Sequence, residues 1–434
     1  MEIMKLERYE KYKDSKVGWL GQVPASWEVR RNKNVFYEAS QLSEDGSETL
    51  LTVSHITGVT PRSEKNVNMF MAETMQGYKV CKVGDLVINT MWAWMGALGV
   101  VRHHGICSPA YGVYRPIKDV PYIPRYFDYL FRTPNFVTEM TRSSKGIVSS
   151  RLRLYPKDFY QLQTVVPSFQ EQQSIVDFLD KRVQAFDKAA LLLEQKISKF
   201  IDLKKILINE TVCRGLDPTV LRKPGNLEGL GDIPAHWQVK RLKDVASINE
   251  KTLSETTAPE YSFRYIDISN VDNSGLQDDA EWVEFQQAPS RARRIVRKND
   301  VIISTVRTYL KAVASFNYEP QDVIVSTGFA VLTPTKIVAP GYLAYQVRSD
   351  SFVDDVIRAS VGVSYPAVNS SAIAALHFIY PPFQEQVEIA SFLDAKTKKI
   401  DSIVTNLKAQ IETLKELRKT LINEVVTGKL KVTE

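Results

Sequence analysis

The sequence predicts an α+β protein of two mixed α/β globular domains joined by two long helices that form an antiparallel coiled coil with a pseudo-two-fold repeat. Three observations carry this. The chain repeats itself, a seven-residue apolar spacing runs through both repeats, and strand-like runs bounded by turn residues fill the intervals.

The repeat is direct. Gly21-Gln-Val-Pro-Ala-Ser-Trp-Glu-Val-Arg-Arg31 matches Gly231-Asp-Ile-Pro-Ala-His-Trp-Gln-Val-Lys-Arg241 at an offset of 210. Phe169-Gln-Glu-Gln172 matches Phe383-Gln-Glu-Gln386 at an offset of 214, which also carries Phe178-Leu-Asp180 and Leu207-Ile-Asn-Glu210 onto their second copies. An offset held through more than 40 residues marks a rigid element with fixed register. Between these anchors Lys82–Thr90 lies against Arg297–Thr305 and Pro124–Tyr129 against Pro340–Tyr345, with offsets wandering from 210 to 218, so the loops have changed length.

Residues 170–213 and 384–427 read as helices of roughly 65 Å each, at about 1.5 Å per residue. Leu179, Phe186, Leu193, Phe200 and Leu207 in the first, and Leu393, Ile400, Leu407, Leu414 and Leu421 in the second, recur every seven residues as a coiled-coil seam. Pro167 and Pro381-Pro382 mark the starts, and Gly215 and Gly428 suit the stops. A seam of this length needs a partner, and its own repeat is the simplest one; the domains would then lie at opposite ends of the coil. Lys204 and Arg418 are basic at the same seam position. Each either snorkels, fixes register, or faces a carboxylate from another subunit.

The predicted domains are residues 1–167 and 232–382; the helices occupy 168–214 and 383–434 (with the C-terminal tail), and a Gly- and Pro-rich linker fills 215–231. Strands are expected over 50–54, 85–90, 112–114, 261–268, 301–306 and 329–332, and short helices over 124–131 and 341–347.

Composition sets the class. The chain has 434 residues, 44% hydrophobic and 24% charged, enough for two or three soluble domains. Three scattered cysteines, a charged N-terminus without an apolar run, and no long apolar stretch point to a reducing cytoplasm with no membrane association. The net charge of +6 suits a polyanionic partner without requiring one.

These residues together resemble the specificity subunit of a type I restriction–modification system. The opening Lys13-Asp-Ser-Lys-Val-Gly-Trp-Leu-Gly-Gln-Val-Pro-Ala-Ser-Trp-Glu-Val29 is similar to that family's start. So is a proline, Phe-Gln-Glu-Gln, and a long helix ending Leu-Ile-Asn-Glu, and the match runs through the chain twice. The second copy departs in its lead-in, Arg222-Lys-Pro-Gly-Asn-Leu-Glu, which puts the linker's structure in doubt. The resemblance implies two target-recognition domains, each reading half of a bipartite double-stranded DNA target. It implies helices that set the spacer and dock two adenine-N6 DNA methyltransferase subunits, with motor–nuclease restriction subunits joining them. S-adenosylmethionine, ATP and magnesium are implied for those partners, none of them for this chain.

No catalytic centre is expected. Gly428-Lys429 lacks the upstream glycine of a phosphate loop, no Asn-Pro-Pro-Tyr methyltransferase motif is present, and the five histidines show no metal-ligand spacing. His103-His104 reads as surface or packing, and Cys107 near His104 has no third group to make a nucleophile. Trp27 and Trp237 read as structural.

DNA readers need cations for phosphates and polar side chains for base edges. In the first half the candidates are Arg142, Ser143, Ser144, Lys145, Ser149, Arg151 and Arg153, on a segment with four positive charges and no acid. Its second-half counterpart offers Arg358, Ser364, Tyr365 and Asn369. Arg291, Arg293, Arg294, Arg297 and Lys298 form the densest basic cluster, and Arg307 and Lys311 flank a tip whose first-half counterpart is Met91-Trp-Ala-Trp-Met95. The plain alternatives are solvated loops and, for the tryptophans, core. A two-module protein-binding scaffold without DNA specificity explains the repeat and coil equally well, but not polar, basic loops at matched positions.

Overall fold

The computed structural model describes residues 6–65, 74–148, 151–225, 231–272, 275–277, 280–362 and 366–432. Its α-helices among these residues are α1 (Pro124–Phe131), α2 (Pro134–Ser143), α3 (Pro156–Gln161), α4 (Phe169–Arg214), α5 (Pro340–Arg348), α6 (Asp350–Arg358), α7 (Ser370–Ala375) and α8 (Phe383–Val426). Proline opens α1, α2, α3 and α5, where its missing N–H costs nothing. The chain packs as two units, residues 1–193 with 409–434, and residues 194–408. Each unit therefore holds one domain, the first half of the long helix that follows it, and the last half of the other long helix.

In the first unit an antiparallel sheet runs Phe36–Glu38, Gly112–Pro116, Leu86–Ile88, Leu98–Val100. Phe36, Tyr114, Phe127, Phe131, Phe136 and Phe159 fill the space between this sheet and α1–α3, with ring centroids 4.4–6.3 Å apart. Glu28–Arg31 pairs with Gln163–Val166 and so ties the start of the domain to its end.

The second unit repeats this frame as Ala246–Ile248, Phe329–Pro334, Val301–Ser304, Val313–Ser315, with Gln238–Arg241 on His377–Tyr380. It adds a second four-stranded sheet, Trp282–Glu284, Ser262–Ile266, Val323–Ser326, Ala292–Ile295, one pair of which is parallel. The linker is not wholly irregular. Arg222–Pro224 pairs with Asp232–Pro234 just as Tyr12–Asp14 pairs with Gln22–Pro24, so the start of the divergent lead-in makes the same antiparallel pairing.

The repeated motifs now have reasons. The second glutamine of each Phe-Gln-Glu-Gln is fully buried. Gln172 Oε1 accepts from Ile123 N at 2.8 Å, and its Nε2 donates to Pro121 O and Pro167 O. Gln386 Oε1 accepts from Ala339 N at 2.9 Å, and its Nε2 donates to Pro381 O. Ile123 and Ala339 are the N-cap residues of α1 and α5, so one amide satisfies an orphan helix donor and bolts the long helix to the domain. The helix stops are packed as well. Gly428 and Gly215 lie at φ +72° and +76°, the left-handed region, and press on Trp27 and Trp237 of their own units. Tyr126 Oη donates to Val426 O in the first unit, and Tyr342 Oη to Val212 O in the second.

Both long helices match the predicted spans to within a residue. Within each unit their halves run antiparallel: Arg418 meets Asp187 at 3.2 Å in the first, and Lys204 meets Asp401 at 2.7 Å in the second. The offset of 214 maps one pair onto the other. The two seam cations therefore pair with carboxylates of this same chain. Leu179, Leu393, Ile400 and Leu407 are buried, whereas Phe186, Leu193, Phe200, Leu207, Leu414 and Leu421 are half-buried.

Candidate nucleic-acid interface

The hairpin Leu86–Ile88/Leu98–Val100 carries the first unit's tip. A short 3-10 turn, Ala93–Met95, ends at Gly96, φ +81°. Met91, Trp92 and Met95 are exposed, Trp92 by 51%, while Trp94 Nε1 donates to Met91 O and braces the tip from within. The tryptophan pair is thus divided: one indole faces solvent and one shapes the loop.

The segment after α2 folds against this tip. Lys145 and Arg153 exchange both backbone hydrogen bonds at 2.8 Å, which closes the loop between them. Leu154 N donates to Thr90 O and Thr141 Oγ1 to Trp94 O, which join loop to tip. Arg142, Lys145, Arg151 and Arg153 are exposed. Arg142 pairs with Glu139 and Lys145 with Asp158. Ser143 and Ser144 are half-buried, and Ser144 Oγ donates back to Met140 O, so they finish α2. Ser149 lies outside the described residues. Exposed Ile147 and Val148 share the loop. Apolar contact with thymine methyls and stacked bases is a normal part of readout, which a pattern of polar residues does not signal.

The second unit is stitched in the same way. Val368 N donates to Thr305 O, the repeat counterpart of the Leu154–Thr90 bond, and Val361 and Ala367 exchange bonds as Lys145 and Arg153 do. Arg307 N donates to Pro366 O, and Thr308 Oγ1 meets Ser360 Oγ at 2.9 Å. Arg307 and Lys311 both hold positive φ, +50° and +52°, a strained geometry for non-glycine residues that the flanking bonds maintain. Exposed Tyr309 and Leu310 crown this tip.

Several candidates have other work. Asn369 caps α7, its side chain accepting from Ala372 N at 2.7 Å. Lys311 pairs with Asp350 and Asp354, and Arg358 with Asp355. Ser364 and Tyr365 lie outside the described residues. The basic cluster does not form one surface. Arg291 O accepts from Thr327 N, next to Gly328, whose carbonyl binds Thr305 at the tip. Arg297 N donates to Asp300, just before Val301–Ser304 begins, so Arg297 and Lys298 stand at the far end of that hairpin. Arg297 pairs there with Glu250. Arg294 donates to Thr252, and burial lowers its pKa; Arg293 lies over the Phe285 ring at 4.9 Å.

His103 and His104 are exposed. Among the described residues no group of three or more His, Cys, Asp or Glu is placed to hold a metal ion. No helix of the described residues is long and apolar enough to cross a membrane. Cys107 lies buried beside Cys81, whose thiol pKa is pushed up by their hydrogen bond and by burial.

Two stitched tip-and-loop surfaces on a duplicated frame, each with half of an antiparallel helix pair, define a class of protein. Residues 234–413 match the family model for the type I restriction modification DNA specificity domain. The chain is 20% identical over 454 residues to the putative type I restriction enzyme MjaX specificity subunit of Methanocaldococcus jannaschii, with 98% of this chain and 99% of that protein covered. It is 19% identical over 285 residues to the MjaVIII specificity subunit of the same organism, spanning 64% of each. A chain solved in a structural study of complex assembly and conformational transition of the type I R-M system superimposes with a TM-score of 0.70 at 16% identity, over 93% of this chain and 98% of that one. The chain is thus similar to type I restriction–modification specificity subunits from end to end, and shares their fold.

Proposed function

We propose that this chain is the non-catalytic DNA-specificity subunit of a type I restriction–modification complex, each unit's tip and loop reading one half of a bipartite target. The observation that carries this is chemical divergence on an unchanged frame. Equivalent hydrogen bonds fasten tip to loop in both units, yet the tips present Met91, Trp92 and Met95 in one and Arg307, Tyr309 and Leu310 in the other. Two readers of different sequences need such divergence; a scaffold holding like partners does not. Candidate contacts are Lys145, Arg151 and Arg153 with the first tip, and Arg291 and Arg307 with the second.

The paired helices set the spacer and dock two adenine-N6 methyltransferase subunits, to which motor–nuclease subunits add. S-adenosylmethionine, ATP and magnesium reside on those partners, and the complex works in the cytoplasm. Methylome sequencing of cells with and without this chain tests the proposal. A bipartite adenine-methylated motif that vanishes with the chain is expected, and replacing residues 91–95 should alter one half-site only. Unchanged methylation, or no sequence preference after reconstitution with the cognate methyltransferase, overturns it.

A further inference from the structure

Behind the first unit's tip, and wholly within that unit, lies a cavity of about 230 Å³. Met95 and Gly96 of the tip form one wall. Four cations line it, Arg125, Arg132, Arg418 and Lys419, against the single carboxylate of Asp128. That carboxylate is engaged already: it accepts from Val100 N at 3.1 Å, from Arg125 at 3.1 Å and from Arg102 at 3.4 Å. Asp180 pairs with Arg125, Asp187 with Arg418 and Glu416 with Lys419. Arg132 differs. Its Nη2 donates to two carbonyls, His55 O at 3.2 Å and Ile56 O at 2.6 Å, and no carboxylate among the described residues stands within ion-pair distance. Burial lowers its pKa, and the nearby charges of Arg418, Arg102 and Arg125 push the same way against Asp128. An anion in this cavity would offset that crowding of like charge.

The second unit supplies an internal comparison. The repeat carries Arg132, Arg418 and Lys419 onto Arg348, Lys204 and Lys205. Arg125 and Asp128, partners of each other, become Gly341 and Ala344. Pro134 and Thr138 become Asp350 and Asp354, and Gly96 becomes Lys311. There the unit's own carboxylates stand at the base of the tip and pair with Lys311 at 3.0 and 3.7 Å. The first unit puts a proline, a threonine and a glycine in those places and keeps the cations.

We propose that the first unit's cavity takes one phosphate of the DNA backbone beside the bases that its tip reads, and that the second unit has no equivalent site. The inference rests on the DNA-reading role. A backbone phosphate is the anion that necessarily accompanies a base at the tip, and Arg and Lys contacts to phosphate set a reader's register on the duplex. The residues come from four places in the chain (around 55, 95, 132 and 418), so one contact ties the tip, α1, α2 and the end of α8 to the DNA.

Equilibrium binding of the complex reconstituted with its methyltransferase subunits, over a range of salt, tests this on a duplex carrying both half-sites. Lys419→Gln removes a cation, and Pro134→Asp installs the carboxylate that the second unit carries. Each should make the slope of log K against log salt shallower by about one and weaken low-salt binding by roughly three- to tenfold, with half-site preference kept. A methylphosphonate at the single phosphate flanking the first half-site should reproduce the loss in the parent protein and add nothing in the variants. Lys205→Gln, the second-unit control, should leave the slope unchanged. Unaltered slopes in both variants, with sequence preference intact, overturn the phosphate site. So does loss of methyltransferase co-purification in place of a slope change, which would assign the cavity to an acidic partner residue. Absence of sequence-specific binding by the parent complex sinks the DNA-reading role itself.

Discussion

At the scale of single residues, buried polar groups at repeated positions define the frame. Gln386 satisfies Ala339 N and Pro381 O in a site without water access. Gln386→Leu keeps the volume but strands both groups, so the unfolding free energy should drop by roughly 2–4 kcal/mol in denaturant titration. A loss under about 0.5 kcal/mol would show that the clamp is dispensable. Asp300 lies buried at the end of the hairpin away from the second tip, accepting from Arg297 N and Thr333 Oγ1. Burial, the largest cause, raises its pKa. A carboxyl whose folded pKa lies above its unfolded value favours the fold at low pH. That contribution is lost as pH rises from the ordinary carboxyl range through the raised value. Asp300→Asn should therefore flatten the acid-range dependence of stability, read as the difference from the parent across pH 3–7 at roughly unit steps. A parallel pair of curves would refute the assignment.

At the scale of elements, helix pairing rests on an apolar seam with, among the described residues, one interhelical ion pair per unit. Lys204–Asp401 and Arg418–Asp187 are largely exposed, so each contributes only about 0.2–1 kcal/mol. Their worth is register. Reversing one charge, Arg418→Glu, should cost about that much in thermal unfolding, and adding Asp187→Arg should restore most of it. A double-mutant cycle with no coupling would reduce the pair to coincidence. The helices were legible in the sequence to within a residue because a seam every seven residues and proline and glycine stops are local signals. The pairing Arg222–Pro224/Asp232–Pro234 was not. Its first strand is Arg-Lys-Pro, without the alternation of a half-buried strand, and pairing alone holds it.

For the whole molecule, the proposed ruler role predicts a change in spacing. Seven residues inserted in register into both long helices add about 10 Å of coil at about 1.5 Å per residue. The recognised spacer should lengthen by about three base pairs while both half-sites stay the same. Methylome sequencing reads this directly, and altered half-sites with a constant spacer would separate the coil from the ruler.

Sequence by itself determined the duplication, the two long helices with their seam, the outline of the strands and the two loops flanking the tips. These depend on periodicity, on turn chemistry and on comparing one half with the other, all of which are one-dimensional. Only the tertiary structure decided which charges meet. Arg297 and Lys298 read as one cluster with Arg291 until the strand Ala292–Ile295 put them beyond its opposite ends. Asn369 read as a base contact until it proved to cap α7. Arg132 and Arg418, nearly 300 residues apart, share a cavity that no local pattern announces. Which charges share a cavity is set by how distant segments pack together, and that is a property of the folded chain rather than of any segment.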